Sequence, residues 1–590
     1  MKEFFKTAFA STLGVLIATG IIFCCLIFSL MGIAVSSSGG AAYSPKKNTV
    51  FKLELNGEIT ENVISNPFDE FMGQAKGLSL ADILKAIRLA KENKNIVGIY
   101  IESKGLSAAP ATVETIHRAL EDFKESGKFV IAYGDSYDNS GYYLASVADS
   151  VFVNPQGMVE LTGLASQGIF YTGLAEKAGV EVYTFKVGTY KGAVEPFMLK
   201  QFSDENREQI MSYMNSIWDN MISEIVKSRN ITPESLNHFI NEGLFVGDAK
   251  ATVDYKLTDG LRYKHEVENS LKAMTEQSAD EKLRTAGIDK INRIKDKKKE
   301  KSDKIAILYA EGEIVESASS SPFGGGTSTI TERTGDELKK LKDDEDVKAV
   351  VFRVNSPGGS AYISEQIWGQ LVELKAVKPV VVSMGDYAAS GGYYISCAAD
   401  MIVAERNTLT GSIGVFGQFP NAAGLLEKIG ITTDIVKTNN YSDLGDFTRP
   451  MRDDEKALFQ KYVEQTYDLF LSRCADGRGM TKEQIDAIGQ GRVWTGEQAL
   501  ELGLVDKLGD IDTAIEEAAA LAELDDYSVI THTNNRDFFS EFFEKQMEDI
   551  KMSFVKNFLG DEYELYNTLQ RVKRQSGIQA RLPYDLINKY

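Results

Sequence analysis

Apolar runs of five to eight residues recur along the chain, separated by stretches of helical period. Residues 50–55, 96–101 and 129–133 read as strands, and residues 81–91 and 111–125 between them read as amphipathic helices. The same alternation returns further on. Residues 305–309, 347–354 and 380–384 are the apolar runs, and residues 334–341 and 363–374 are the helices. Buried strands alternating with helices predict an α/β protein with largely parallel sheets and right-handed crossovers.

The two series are copies. Gly134-Asp135 and Tyr142-Tyr143 match Gly385-Asp386 and Tyr393-Tyr394 at a constant offset of 251 residues, 385 less 134 and 394 less 143. Glu114, Ile116 and Tyr190 match Glu365, Ile367 and Tyr441 at the same offset. The segment around Trp218-Asp219 recurs, slightly shifted, around Tyr467-Asp468. A period this long is a duplicated domain, not a solenoid repeat. The expected division is an anchor over residues 1–45, a first unit over 46–264 and a charged linker over 265–304. A second unit over 305–525 and an amphipathic tail over 526–590 complete it.

The anchor rests on hydropathy. No charged residue occurs between residues 7 and 44, and residues 8–35 are almost wholly apolar. That exceeds the roughly 20 residues that cross a bilayer and the shorter core of a secretory leader. The expectation is an uncleaved single-pass transmembrane helix, with cleavage near Ala34 or Ala42 as the alternative. Lys2 and Lys6 favour a cytoplasmic N-terminus, although Lys46 and Lys47 beyond the span weaken the asymmetry. The main body then lies on the outer face. In the tail, Phe538-Phe539, Phe542-Phe543, Met547, Ile550, Phe554 and Phe558-Leu559 form an apolar stripe at helical spacing. It suits packing on the body or on a neighbouring subunit; a membrane-surface role is the other reading.

Composition narrows the chemistry. A net charge of −20 carries no basic footprint for nucleic acid. The four cysteines show neither a C-x-x-C pair nor a zinc spacing, so no metal and no disulfide framework is expected. The four histidines, His117, His238, His265 and His532, lie outside Gly-rich or strand-end motifs, which argues against a Ser–His–Asp triad.

The stretch that could carry chemistry is Gly385-Asp386-Tyr387-Ala388-Ala389-Ser390-Gly391-Gly392-Tyr393-Tyr394, between a strand and a helix. A serine at such a turn is exposed beside backbone N–H groups. It can equally be a capping serine in a tight turn. The duplication helps decide. Ser390 aligns with Asn139, so the first copy has no nucleophile there. Conversely Lys191 aligns with Ser442, so the second copy has no lysine. Complementary loss points to one site per pair of copies, built from Ser390 and Lys191; drift at two surface positions is the competing account. A serine needs a base, and a lysine serves only when burial makes it neutral. No acid follows Lys191 until Glu195.

Two further differences follow the same rule. Asn355-Ser356-Pro357-Gly358-Gly359 stands where the first copy has Leu106-Ser107-Ala108, and such a turn can aim N–H groups outward. The N–H groups of Gly359 and Gly391 are the candidate oxyanion donors. Thr410-Gly411-Ser412-Ile413-Gly414-Val415 parallels a first-copy segment with Leu164 in place of Ser412, and Ser412 is the candidate for orienting the lysine.

Together with Tyr190-Lys191-Gly192-Ala193-Val194-Glu195-Pro196-Phe197, these motifs resemble the signal peptide peptidase A family, a serine protease family (S49), in its long duplicated form. The likeness runs from the anchor to about residue 521. It implies a tandem ClpP/crotonase-like fold and a Ser–Lys dyad, with Ser390 as nucleophile and Lys191 as general base. It also implies a homotetramer on the bacterial cytoplasmic membrane, with cleaved signal peptides as substrates and no cofactor. Two other classes remain open at this point: a crotonase-like acyl-CoA binder and a non-catalytic membrane scaffold.

Overall fold

The computed structural model describes residues 42–61, 77–247, 249–295, 301–316, 329–532 and 577–581, together with Gly14 and Thr19. The expected anchor over residues 8–35 and the Phe-rich stripe over 538–559 lie outside the described residues. Among the described residues no helix is long and apolar enough to cross a membrane.

The fold is mixed α/β, and the chain forms two compact units. They do not coincide with the two sequence copies. Of the described residues, those up to 108, 118–160 and 245 to 295 form the first unit, and 109–117, 161–244 and those from 301 onward form the second. Much of the second half of the first copy therefore belongs to the second unit.

The first unit is built on a parallel sheet. Its path runs Leu78–Ser79, Thr49–Thr60, Ile96–Ser107, Phe129–Gly134, Ser150–Val153, Gly260–Leu261, and Thr285–Ala286 pairs beside Thr49–Thr60. Register places Phe51 beside Ile99 and, on the opposite face, Tyr100 beside Ile131, and all four are buried, so both faces of the sheet are covered. Residues 265–304, expected as an exposed linker, are largely folded here. They supply most of the helix Lys264–Met274, the strand Thr285–Ala286 and the short helix Ile288–Ile291. The reason is visible in the period: Val267 and Leu271, four residues apart, are fully buried beneath a charged outer face.

The second unit holds two sheets. In the larger, Ser528–His532, Lys304–Glu311, Val347–Ser356, Val380–Ala389 and Leu409–Gly411 run parallel, and Val493–Thr495 closes the edge antiparallel. The runs of valine and isoleucine in these strands are buried on both faces, by helices Glu332–Asp343 and Ala361–Lys375 on one side and Ile511–Leu521 on the other. Residues 526–590 are thus not all an amphipathic tail, since Ser528–His532 is a strand of this sheet. The smaller sheet runs Thr329–Ile330, Glu313–Ile314, Gly358–Ser360, Gly577–Arg581, Val415–Asn421, Glu181–Val187. Helices Asp204–Arg229 and Asp453–Arg478, 26 residues each, are the duplicated helix anticipated around Trp218 and Tyr467.

Candidate active site

Ser390 sits where the strand Val380–Ala389 turns into the short helix Gly391–Tyr394. The turn is sharp enough to force the serine to φ 54°, a left-handed value that a residue with a Cβ rarely adopts. Its surroundings hold it there. The Ser390 N–H donates to the Gly411 carbonyl at 2.8 Å, and the Tyr394 N–H donates to the Ser390 carbonyl at 2.8 Å. The two tyrosines of the motif pin the helix. Tyr393 donates to the Leu504 carbonyl at 2.9 Å and Tyr394 to Glu365 at 2.6 Å. Gly392 has no room for a side chain, because a Cβ there would stand 2.6 Å from the Ser356 carbonyl oxygen.

Lys191 arrives from the strand Glu181–Val187, which pairs antiparallel with Val415–Asn421. Gly188, at φ 111°, turns the chain against Gln490, whose carbonyl accepts from the Tyr190 N–H at 2.9 Å. The side chain then runs through a channel walled by two glycines. A Cβ on Gly491 would come within 2.8 Å of Lys191 Cβ, and one on Gly414 within 3.2 Å of Lys191 Cδ. Gly414 lies in the Thr410–Val415 motif without a role read from the sequence, and Gly491 lies far along the chain in a segment without a motif.

At the end of the channel Lys191 Nζ lies 2.7 Å from Ser390 Oγ and 3.0 Å from both the carbonyl and the Oγ of Ser412. All three side chains are fully buried. The Gly414 carbonyl, 3.5 Å from Ser390 Oγ, is the other acceptor within reach of that hydroxyl. Among the described residues no carboxylate pairs with Lys191. The nearest acid in sequence, Glu195, instead accepts from Ser203 Oγ at 2.5 Å and from Asn206 Nδ2 at 2.8 Å. Desolvation without a counter-charge holds the Lys191 amine well below the ordinary lysine value.

The glycine turn also comes to this place. Gly358–Ser360 is a strand of the smaller sheet, with Gly358 at φ 98°. A Cβ on Gly358 would stand 2.7 Å from the Gly391 nitrogen, and one on Gly391 would stand 3.1 Å from Gly358 Cα. Gly359 is its neighbour, pressed against the Ile314 backbone and paired in register with Ile314. Ser390, Lys191, Ser412, Gly359 and Gly391 are therefore gathered in one region of the second unit. The histidines lie elsewhere: His532 is 2.7 Å from Glu337, and none is bonded to Ser390. Cys397 and Cys474 are free and buried. No group of side chains among the described residues has the makings of a metal site.

The proteins this chain is similar to are peptidases. The sequence profile of Peptidase family S49 matches residues 122–278 and again 372–525, one match in each copy. Protease 4 of Salmonella typhi is 40% identical over 76% of this chain and 72% of its own length. Protease 4 of Haemophilus influenzae is 32% identical over 92% of this chain and 89% of its own length. The chloroplastic serine protease SPPA of Arabidopsis thaliana is 32% identical over 91% of this chain and 78% of its own length. Fold, serine and relatives define an α/β serine peptidase with a duplicated domain. The chain belongs to peptidase family S49.

Proposed function

We propose that the protein is a membrane-anchored serine endopeptidase that cuts apolar peptides, cleaved signal peptides among them, with a Ser390–Lys191 dyad. The observation that carries this reading is the 2.7 Å approach of Lys191 Nζ to Ser390 Oγ inside a fully buried, carboxylate-free pocket. A neutral amine has two N–H donors and one lone pair. The Ser412 carbonyl and hydroxyl take the two donors, which leaves the lone pair aimed at the Ser390 hydroxyl. Ser412 is thus a positioning residue for the base.

Ser390 Oγ attacks the peptide carbonyl as Lys191 takes its proton. The oxyanion is held by backbone N–H groups, those of Gly359 and Gly391 in this reading. The amine leaving group departs with the proton returned from Lys191, and water hydrolyses the ester by the same route in reverse. No metal or nucleotide is required. Residues 8–35 would anchor the chain in the cytoplasmic membrane with the catalytic part on the outer face. A ClpP/crotonase-like spiral for each copy and a homotetrameric assembly belong to the same reading.

The test is hydrolysis of an apolar peptide by the full chain in detergent, beside Ser390→Ala and Lys191→Ala, as a function of pH. The base works when deprotonated, so kcat/KM should rise with pH along a limb well below the ordinary lysine value of 10.5. Both variants should be nearly inactive yet folded. An active Ser390→Ala protein would overturn the assignment, and a rate that climbs only near 10.5 would remove Lys191 as the base.

A further inference from the structure

Residues 490–493 bracket the base. On one side the Gln490 carbonyl accepts from the Tyr190 N–H at 2.9 Å, and Gly491 lies against the Lys191 backbone. On the other side the Arg492 carbonyl accepts from the Ser412 N–H at 2.7 Å, and the Gly491 N–H donates to the Ile413 carbonyl at 2.7 Å. One short segment thus fixes both the chain that brings the lysine and the loop whose carbonyl and hydroxyl hold its amine. Gln209, fully buried on helix Asp204–Arg229, ties the same two walls together. Its Nε2 donates to the Tyr190 carbonyl at 2.8 Å, and its Oε1 accepts from the Val493 N–H at 3.1 Å. All but the Gln209 contacts run between backbone groups, so they do not call for an arginine at position 492.

The Arg492 side chain reaches the lysine's own neighbour. Its Nη1 donates to the Tyr190 hydroxyl at 3.1 Å and its Nη2 to Glu208 at 2.9 Å. The Tyr190 hydroxyl donates to the other Glu208 oxygen at 3.1 Å, which closes a triangle. The guanidinium also lies 4.7 Å from the centre of the Tyr190 ring and 4.4 Å from that of Trp494, whose indole N–H is fixed on the Ile488 carbonyl at 2.9 Å. A planar fork that stacks and bonds at once is what arginine supplies and lysine does not. Exposure rises outward from the base: Lys191 is 0% exposed, the Arg492 side chain 19% and that of Glu208 55%. An ion pair so open to solvent contributes little stability of its own. What the triangle holds is Tyr190, one peptide bond from the base.

We infer that Arg492 is a positioning residue for the general base: with Glu208 it clamps Tyr190 at the outer end of the channel, which keeps the Lys191 amine aimed at Ser390 and shut off from water. This rests on the Ser390–Lys191 reading above. Arg492 bonds neither the amine nor the serine hydroxyl and acts through Tyr190. The other titratable groups packed around the channel are engaged elsewhere. Glu195 is bonded to Ser203 and Asn206, and the Tyr467–Asp486 pair to Gln490. A loosened clamp lets water reach the amine. A solvated amine returns toward the ordinary lysine value, so less of it is free to take a proton at neutral pH, and its aim is poorer as well. Charge acting at a distance has a different signature. Removing the Arg492 cation would favour protonated Lys191, whereas removing the Glu208 anion would disfavour it. A clamp gives both removals the same direction.

The test is kcat and KM for an apolar peptide across pH, with the full chain in detergent, for the wild type, Arg492→Ala, Glu208→Ala and Tyr190→Phe. Tyr190→Phe keeps the ring and every charge and removes only the hydroxyl that the triangle holds, so it decides the matter even where a larger change impairs folding. All three variants should move the rising limb of kcat/KM to higher pH. Arg492→Ala should lower kcat at neutral pH about tenfold or more with KM little changed, because a misplacement of about 1 Å costs up to about 100-fold. A limb that rises in Arg492→Ala but stays or falls in Glu208→Ala and Tyr190→Phe assigns the effect to charge and overturns the inference. Limbs that all stay in place, with kcat falling only as the folded fraction falls, make the triangle a structural contact and also overturn it, leaving the dyad standing. A wild type that cleaves no peptide, or shows no rising limb below 10.5, fails the dyad reading, and this inference with it.

Discussion

Replacing Lys191 by methionine tests the electrostatic core of the mechanism without an activity assay. Methionine can thread the same channel between Gly414 and Gly491 but carries no titratable group. In the folded wild type the amine's pKa is lowered by burial; in the unfolded chain it returns to about 10.5. Between those two values the unfolded state holds a proton that the folded state lacks, so stability rises with pH. The cost of the buried amine is full below the lowered folded pKa and fades as pH approaches 10.5. Inside that window the slope is fixed by one proton, about 1.4 kcal/mol per pH unit, whatever the depth of the shift. Lys191→Met abolishes this slope, and the difference between the two proteins isolates it because every other group is shared. Loss of the three contacts to Ser390 and Ser412 offsets the curves vertically and leaves the slope alone. The assay is urea unfolding at a series of pH values, followed by tryptophan fluorescence. All three tryptophans, Trp218, Trp368 and Trp494, belong to the second unit, so the signal reports the unit that holds the site. The wild type should gain on Lys191→Met with rising pH. A difference that stays flat below 10.5 would mean that Lys191 titrates in the folded protein as it does in the unfolded chain. A permanently charged amine could not serve as the base.

Two backbone predictions follow from the same site. Ser390→Gly should be more stable than Ser390→Ala by about 1 kcal/mol, because glycine adopts φ 54° without strain; equal urea midpoints would show that the turn stores none. Gly491→Ala adds a Cβ 2.8 Å from Lys191 Cβ at φ 77°, so it should destabilise the second unit by about 2 kcal/mol and lower kcat by displacing the amine. A Gly491→Ala protein with wild-type stability and kcat would mean the channel yields without moving the lysine.

How much of this was legible in the sequence differs from element to element, and the reason is the range over which each signal acts. The buried strands were read from local hydrophobicity, and the structure extends rather than moves them: residues 347–354 became Val347–Ser356, and 380–384 became Val380–Ala389. Most of the extra residues are polar or small, and they pair because the neighbouring strand continues, which no window over one strand reveals. The duplication made Ser390 and Lys191 candidates together, since each is missing from the other copy. It could not show that their channel is walled by Gly414 and Gly491, because a glycine announces close approach only once its neighbour is known. The compact units divide the chain differently from the copies for a related reason. Copies mark ancestry, whereas packing assigned residues 161–244 to the unit of the second copy, where Glu181–Val187 pairs with Val415–Asn421. Residues 577–581 are the extreme case. Gly-Ile-Gln-Ala-Arg is too short and too polar to predict a strand, and it pairs only where two edges already stand one strand apart.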